Sequence, residues 1–123
     1  MSFPISAGLL DSMVLAIVER EDTYGYEITQ TMRKAVDVSE STLYPVLKRL
    51  QKNQMLETYD KEFMGRNRRY YHVTEMGQLQ LRDYKQQWKE HKRMVDSILL
   101  KETESKKEEP KIEEKEDVLP QEA

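Results

Sequence analysis

The stretch from Thr74 to Leu100 constrains the fold most, because nothing in it breaks a helix except Gly77 near its start. Thr74 can cap this helix, which at 1.5 Å per residue would be about 40 Å long. Apolar residues follow it close to a 3-4 repeat, with His91 interrupting: Leu81, Tyr84, Trp88, Val95 and Ile98. The rest of the chain is too short to cover this stripe, so Trp88 in particular indicates contact with a second chain.

Charge is divided unevenly between a body and a tail. Residues 101–123 hold nine acidic and five basic residues, two prolines and no aromatic residue, which predicts a disordered acidic tail. Residues 1–100 hold fifteen basic and fourteen acidic residues, so the sequence pI of about 5.5 describes the tail more than the body. Within residues 41–70, seven basic residues stand against three acidic ones, which is a local basic patch.

Several classes of protein are excluded or disfavoured. The chain has no cysteine, which excludes disulfides and thiolate metal sites and is compatible with a cytoplasmic protein. The apolar run near the N-terminus contains Asp11, is too short for a bilayer and follows no basic segment, so we expect no membrane association. The histidines are His72 and His91, and we find no glycine-rich phosphate loop and no nucleophile with a base at helical spacing. We therefore expect no enzyme, no metal site and no cofactor.

Three shorter helices are predicted before the long one. The first, at about 6–20, has two apolar stripes, which indicates burial on two sides; they contain Leu10, Met13, Val14 and Ile17, and Leu9, Met13 and Ala16. The second, at about 24–35, has an inner face of Ile28, Met32 and Ala35 or Val36. The third has Ser41 as its predicted N-cap and Pro45 in its first turn, and its core residues are Leu43, Val46, Leu47 and Leu50.

Two alternating segments, 55–62 and 69–74, predict strands, with FMGRN (63–67) as the turn between them. Such a hairpin must lean on the helices to be stable. The order of three helices, a hairpin and a long helix is that of the winged helix-turn-helix, in which the third helix enters the major groove of DNA. The predicted fold is mainly α with a small two-stranded β wing. We expect a DNA-binding domain at 1–73, a dimerisation helix at 74–100 and the tail at 101–123.

The exposed side of the third helix holds the first candidate DNA contacts. Lys48, Arg49 and Lys52 can reach phosphates or guanine edges. Ser41, Thr42 and Tyr44, at the helix N-terminus, suit hydrogen bonds to phosphate. Tyr24 is a further candidate, although Tyr24 and Tyr44 can instead pack against each other.

The hairpin tip holds the second group of candidates: Arg66, Asn67, Arg68 and Arg69. Arginines crowded around a glycine suit a narrow minor groove or its phosphates. The alternative is a solvated turn with an ion pair. Because residues alternate along a strand, Arg68 and Arg69 point to opposite sides. The same alternation predicts Tyr71 and Val73 inward, with Tyr70 and His72 on the other side.

Three motifs, YGYEI (24–28), STLYPVLKRL (41–50) and RRYYHVTEMG (68–77), resemble the PadR family of bacterial transcriptional regulators in order and spacing. The single long C-terminal helix resembles the compact subfamily. The chain departs from the family at Gln54, where glycine is usual, so we expect Asn53 to close the third helix in a left-handed conformation. The wing also lacks the family's proline, so a floppier tip is expected.

The resemblance implies a homodimer, in which the last helix of one chain packs against the first and last helices of the other. It also implies repression by DNA binding, relieved by a small effector. Trp88, with Leu9 and Met13, then lines a candidate slot for a flat aromatic ligand. The alternative is that Trp88 only fills the dimer core.

We therefore expect a homodimeric, sequence-specific transcriptional regulator of double-stranded DNA. Twofold symmetry predicts a pseudo-palindromic operator with half-sites about one helical turn apart, or a multiple of it. The alternative function is a winged-helix protein-interaction module without its own operator, which binds a partner protein through the acidic tail or a helix face. Salt-sensitive, sequence-selective DNA binding distinguishes the two.

Overall fold

The computed structural model describes residues 6–101, which form four α-helices and a small antiparallel sheet. In chain order the elements are α1 (Ala7–Arg20), β1 (Thr23–Tyr24), α2 (Gly25–Met32), α3 (Glu40–Lys52), β2 (Leu56–Phe63), β3 (Arg66–Val73) and α4 (Glu75–Leu99). The described residues divide into two compact units, 6–85 and 86–101. The predicted mainly helical fold with a β wing is confirmed. The predicted acidic tail lies almost wholly outside the described residues.

The first unit is built around one hydrophobic core. All four predicted core residues of α3 are buried, as their helical spacing requires. The other buried apolar residues are Leu10, Val14, Leu15, Val18, Ile28, Met32, Val38, Leu56, Tyr71, Val73 and Leu81. In α1, Met13 and Ile17 are only partly buried, because Leu15 and Val18 take the inner positions. The inward direction predicted for Tyr71 and Val73 is confirmed.

Helix α3 begins two residues earlier than predicted. Its N-cap is Ser39, whose Oγ accepts a hydrogen bond from the backbone N–H of Thr42 at 3.3 Å. The prediction of Ser41 as N-cap was wrong, because two serines of equal capping propensity lie two residues apart. The earlier start moves Pro45 into the second turn, where its missing N–H deprives the carbonyl of Ser41 of an intrahelical donor.

The C-terminus of α3 closes in a Schellman motif. The N–H of Met55 donates to the carbonyl of Leu50 at 2.9 Å, and the N–H of Gln54 donates to that of Gln51 at 3.0 Å. Gln54 has a φ of 64°, whereas Asn53 has a φ of −86°. The prediction of a left-handed conformation at Asn53 was therefore wrong, because the motif places the left-handed residue one position later, at Gln54.

The wing hairpin has a two-residue turn, Met64–Gly65, with φ values of 54° and 80°. Phe63 pairs with Arg66 directly across it. The predicted five-residue turn was too long, because its outer residues belong to the strands. Two positive φ values in a two-residue turn match the twist of a hairpin.

A third strand, β1, was not predicted. Thr23 pairs with Tyr71 and Tyr24 with Tyr70, so the sheet order is β1-β3-β2. This strand leads directly into α2 and fastens the wing to the helices.

Helix α4 starts at the predicted cap. The Oγ1 of Thr74 accepts a hydrogen bond from the N–H of Gly77 at 3.0 Å and donates one to the carbonyl of Gln54 at 2.7 Å. A Cβ atom at Gly77 would collide with the carbonyl of Met55 and lie 2.7 Å from Cγ2 of Val73, so the space admits only glycine. Among residues 6–101, α4 included, no helix has the length and apolarity needed to cross a membrane.

Candidate nucleic-acid interface

One side of α3 is free of the core and rich in hydrogen-bonding groups. Ser41, Thr42, Tyr44, Lys48 and Lys52 are all exposed there. The Oγ of Ser39 lies 2.9 Å from the Oγ of Ser41 and 3.2 Å from the Oγ1 of Thr42, which gathers three hydroxyls at the helix N-terminus. This side can offer hydroxyls to phosphate at one end and two cations further along.

Arg49 differs from the other predicted contacts of α3. Its guanidinium forms an ion pair with Asp11 of α1, whose side chain is only 13% exposed. Burial raises the pKa of Tyr84, the charge of Asp11 raises it further and that of Arg49 opposes this, so the pair lies close to α4. The observed contacts of Arg49 tie helices together, and its DNA contact stays a prediction.

The strand register divides the wing into two faces. The inner face contains the buried Leu56, Tyr71 and Val73. The outer face contains the alternate residues, Glu57, Tyr59, Lys61, Phe63, Arg66, Arg68, Tyr70 and His72. Arg69 and Asn67 belong to the inner face, so the opposite directions predicted for Arg68 and Arg69 agree with the register.

Arg68 is held between two aromatic rings. Its guanidinium carbon lies 4.0 Å from the ring centroid of Tyr24 and 4.2 Å from that of Phe63. Tyr24 also meets Tyr70 edge-to-face at 5.6 Å, and this replaces the predicted alternative of packing against Tyr44. Both distances lie within the range of cation–π contacts, and a guanidinium has five N–H donors. Tyr24 therefore positions an arginine of the wing.

Helix α3 meets the inner face of the wing on the strand pair that contains Tyr71. Burial raises the pKa of Tyr71, the neighbouring Tyr44 raises it further, and the charge of Arg69 partly opposes this. Helix α3 contacts this face directly, because Nε2 of Gln51 donates to Oγ1 of Thr58 at 3.5 Å and Thr58 pairs with Tyr71. Arg69 has only a long contact of 4.0 Å to Asp60, and both side chains are 62% exposed. Its charge is thus exposed on the inner face of the wing.

A polar cluster at the base of the wing was not predicted. The Oδ1 of Asp22 lies 2.9 Å from Nδ1 of His72, and its Oδ2 accepts a hydrogen bond from the Tyr59 hydroxyl at 2.8 Å. Burial alone would raise the pKa of Asp22, but the hydrogen bonds from His72 and Tyr59 and the charge of His72 lower it. The hydrogen bond to Asp22 in turn raises the pKa of Tyr59. The alternation of β3 places His72 on the outer face, but only the unpredicted β1 brings Asp22 to it.

The three predicted effector contacts fall in different units. Leu9 and Met13 belong to α1 in the first unit and are half-buried, Met13 against the core. Trp88 belongs to the second unit, is 46% exposed and lies 6.2 Å from His91 between ring centroids. Within residues 6–101, no three His, Asp or Glu side chains are grouped so that they could hold a metal ion.

A family model described as the transcriptional regulator PadR-like family matches residues 14–83, from α1 through the wing into α4. The chain belongs to the PadR-like family. As a member it is a DNA-binding transcriptional regulator, and the predicted resemblance is confirmed. The three motifs that carried the resemblance lie on α2, α3 and the β3–α4 junction.

Solved structures agree with this assignment. A protein of Streptococcus mutans is 43% identical with a TM-score of 0.76, over 80% of this chain and 93% of that one. A PadR-like transcriptional regulator of Bacillus cereus is 36% identical with a TM-score of 0.71, over 76% and 93%. Among sequence relatives, an uncharacterized protein of Lysinibacillus sphaericus is 35% identical over 77% of this chain and 92% of its own length.

Proposed function

We propose that this PadR-like protein is a homodimeric, sequence-specific repressor whose α3 reads the major groove while its wing contacts the adjacent backbone or minor groove. The observation that carries the proposal is the contact of α3 with the inner face of the wing, where Nε2 of Gln51 donates to Oγ1 of Thr58 at 3.5 Å. The exposed Tyr44 of α3 and the exposed Arg69 of the wing add a hydroxyl and a cation to these two elements. Such a surface suits phosphate positioning on both sides of a base-reading helix.

Individual residues take different roles in this proposal. Ser41, Thr42 and Tyr44 donate hydrogen bonds to phosphate, and Lys48 and Lys52 reach base edges or phosphates further along α3. Arg66 and Asn67 flank the exposed turn of the wing, and Arg69 extends the surface of α3. The ring-held Arg68 adds a preorganised donor. Arg49 acts mainly through Asp11, as a link between helices.

The second unit supports the dimer. Five of its large apolar side chains are exposed in the single chain: Trp88, Met94, Ile98, Leu99 and Leu100. So many exposed apolar side chains within residues 86–101 are typical of a surface that another chain covers. A twofold dimer presents two α3 helices, so the operator is an inverted repeat in double-stranded DNA.

An effector site and a cytoplasmic location belong to the same proposal. Two copies of Trp88 near the dimer axis would form an aromatic slot for a flat ligand, with Leu9 and Met13 as further wall residues. A ligand that favours a dimer geometry unsuited to two half-sites would release DNA and relieve repression. We propose three functional regions: residues 1–73 bind DNA, residues 74–100 form the dimerisation helix, and residues 101–123 are the acidic tail.

The test is a fluorescence anisotropy titration of genomic fragments, including the promoter of the protein's own gene, over a salt series. The wild type is compared with the triple variant Arg66→Ala, Arg68→Ala, Arg69→Ala. We expect selective binding by the wild type, and a salt slope shallower by about 0.9 for each phosphate contact that the variant loses.

The matched control removes the same number of exposed arginine and lysine charges from α4, as Arg82→Ala, Lys89→Ala, Arg93→Ala. It should keep the wild-type salt slope, because these residues lie outside the proposed surface. Equal binding of all fragments, or equal effects of the two triples, would contradict the proposal and favour a protein-interaction module.

A further inference from the structure

The outer face of the wing has a segregated charge. In the half of the hairpin nearest the turn, its cations are Lys61, Arg66 and Arg68. Both acidic residues of that half, Asp60 and Glu62, lie on the inner face instead. In this half of the hairpin the outer face therefore presents three cations without a neighbouring carboxylate.

Exposed aromatic rings lie among these cations. Phe63 is 44% exposed and Tyr59 is 41% exposed, and Tyr59 stacks on Tyr70 with 5.7 Å between ring centroids. Lys61 lies over the Tyr70 ring at 5.5 Å. A surface of cations and exposed rings suits a peptide that combines carboxylates with aliphatic side chains.

The chain itself contains such a peptide. Residues 113–119, with the sequence EEKEDVL, hold four acidic residues and one lysine and end in Val118 and Leu119. They lie outside the described residues, which end at Lys101. Seventeen residue steps separate Lys101 from Val118, and an extended chain of that length spans up to about 55 Å.

We propose that residues 113–119 dock on the outer face of the wing and compete with DNA for Arg66 and Arg68. The proposal rests on the proposed function, because the competition needs a wing that contacts DNA. A tethered segment has an effective concentration on the order of millimolar, so even a weak contact is well occupied. The consequence is suppression of binding to random DNA, while an operator that also engages α3 displaces the segment.

Docking is measured without DNA by paramagnetic relaxation in the NMR spectrum of the full chain. Since the chain has no cysteine, Ala123→Cys carries one spin label at a unique position. We expect broadening of the amide signals of residues 60–68, removed by salt at about 1 M, where screening is strong. The variant Glu113→Gln, Glu114→Gln, Glu116→Gln, Asp117→Asn should lose the broadening.

A matched variant, Glu102→Gln, Glu104→Gln, Glu108→Gln, Glu109→Gln, removes the same charge outside the docking segment. It should keep the broadening. The proposal would be overturned if the amide signals of residues 60–68 were not broadened in the labelled wild type, or if both variants lost the broadening equally.

A titration with random-sequence DNA separates this inference from the proposed function. We expect the 113–117 variant to bind about two- to tenfold more tightly than its matched control, as removal of a tethered competitor predicts. Wing broadening without any DNA binding would overturn the proposed function and leave the docking contact standing. DNA binding without wing broadening would overturn the docking and leave the proposed function standing.

Discussion

The three arginines of the wing are held in different ways, and this separates stability from DNA binding. Arg68 is stacked between Tyr24 and Phe63, Arg69 has only a long exposed contact to Asp60, and Arg66 flanks the turn. Cation–π contacts contribute to folding even at partly exposed sites, whereas a long surface ion pair contributes little. We therefore expect Arg68 to contribute to stability as well as to the proposed DNA contact, and Arg69 to contribute to the proposed DNA contact alone.

We expect Arg68→Ala to lower the free energy of unfolding by about 1 kcal/mol, because two ring contacts are lost. Arg69→Ala should leave it within about 0.5 kcal/mol of the wild type and should weaken DNA binding instead. Urea denaturation followed by circular dichroism measures the first effect and anisotropy the second. Equal stability losses in the two variants would contradict the assigned roles.

Gly77 gives the sharpest prediction for stability. Gly77→Ala should lower the free energy of unfolding by about 1–3 kcal/mol, since its Cβ atom meets the backbone of Met55 and the side chain of Val73. Gly8→Ala is the control, because nothing lies within 4 Å of its Cβ position and the change improves helix propensity. Gly8→Ala should leave the free energy of unfolding unchanged or raise it. If Gly77→Ala were as stable as the wild type and Gly8→Ala less stable, the packing argument would be refuted.

Among the elements, β1 is very short but attaches the wing to the helices. Its two residues pair with β3, and the residue before it, Asp22, binds His72 and Tyr59 at the base of the wing. A two-stranded hairpin is marginal in water, so these contacts help to hold the wing in place. The orientation of the wing towards α3 then depends on the sheet and on the polar cluster together.

The lowered pKa of Asp22 predicts a pH dependence of stability. The carboxylate contributes above the ordinary value of 3.8, and its contribution is lost as the pH falls through the lowered pKa. Wild type should therefore be more stable than Asp22→Asn at neutral pH, and the difference should shrink as the pH falls below 3.8. Urea denaturation at several pH values measures it, with the exposed Asp60→Asn as a control that changes stability little. A constant difference across this range would contradict the cluster's role.

The sequence predicted the elements whose signals are local. The core of α3 was correct because Leu43, Val46, Leu47 and Leu50 repeat at one helical face. Thr74 was correct because a cap followed by an unbroken helix needs no information from elsewhere. The errors at Ser41 and Asn53 are shifts of one or two residues between neighbours of similar capping propensity, which packing decides.

Features that join distant residues could not be predicted. The strand β1 has two residues and no periodicity, and it exists only because β3 offers partners. The ion pair of Arg49 with Asp11 joins residues 38 positions apart, so the charge pattern of α3 gave no sign of it. The register of the wing did follow from alternation, and it separated Arg68 from Arg69 correctly.

At the scale of the whole molecule, the proposed function requires a second copy of the chain. The exposed apolar side chains of residues 86–101 have no covering partner within the part of the chain that the structure describes. A homodimer would cover them and would fix the spacing of two α3 helices. Oligomeric state and operator symmetry are therefore linked predictions.

We expect Ile98→Glu to shift the protein from dimer to monomer, because Ile98 is 81% exposed in the single chain and would carry a charge into an apolar interface. Sedimentation velocity measures the change. Lys101→Glu is the control, which adds a carboxylate at an exposed position beyond the apolar row. A monomeric wild type, or a dimer that tolerates Ile98→Glu, would contradict the proposed interface.

The most direct test of the central claim is selection of bound sequences from a random pool of double-stranded DNA, with the wild type beside Lys48→Ala. The account predicts that the wild type enriches an inverted repeat with half-site centres about 10 base pairs apart, or a multiple of this spacing. Lys48→Ala should relax the enrichment at a defined position in each half-site. Enrichment of no motif, or of a single asymmetric site that Lys48→Ala leaves unchanged, would contradict a dimeric protein that reads DNA through α3.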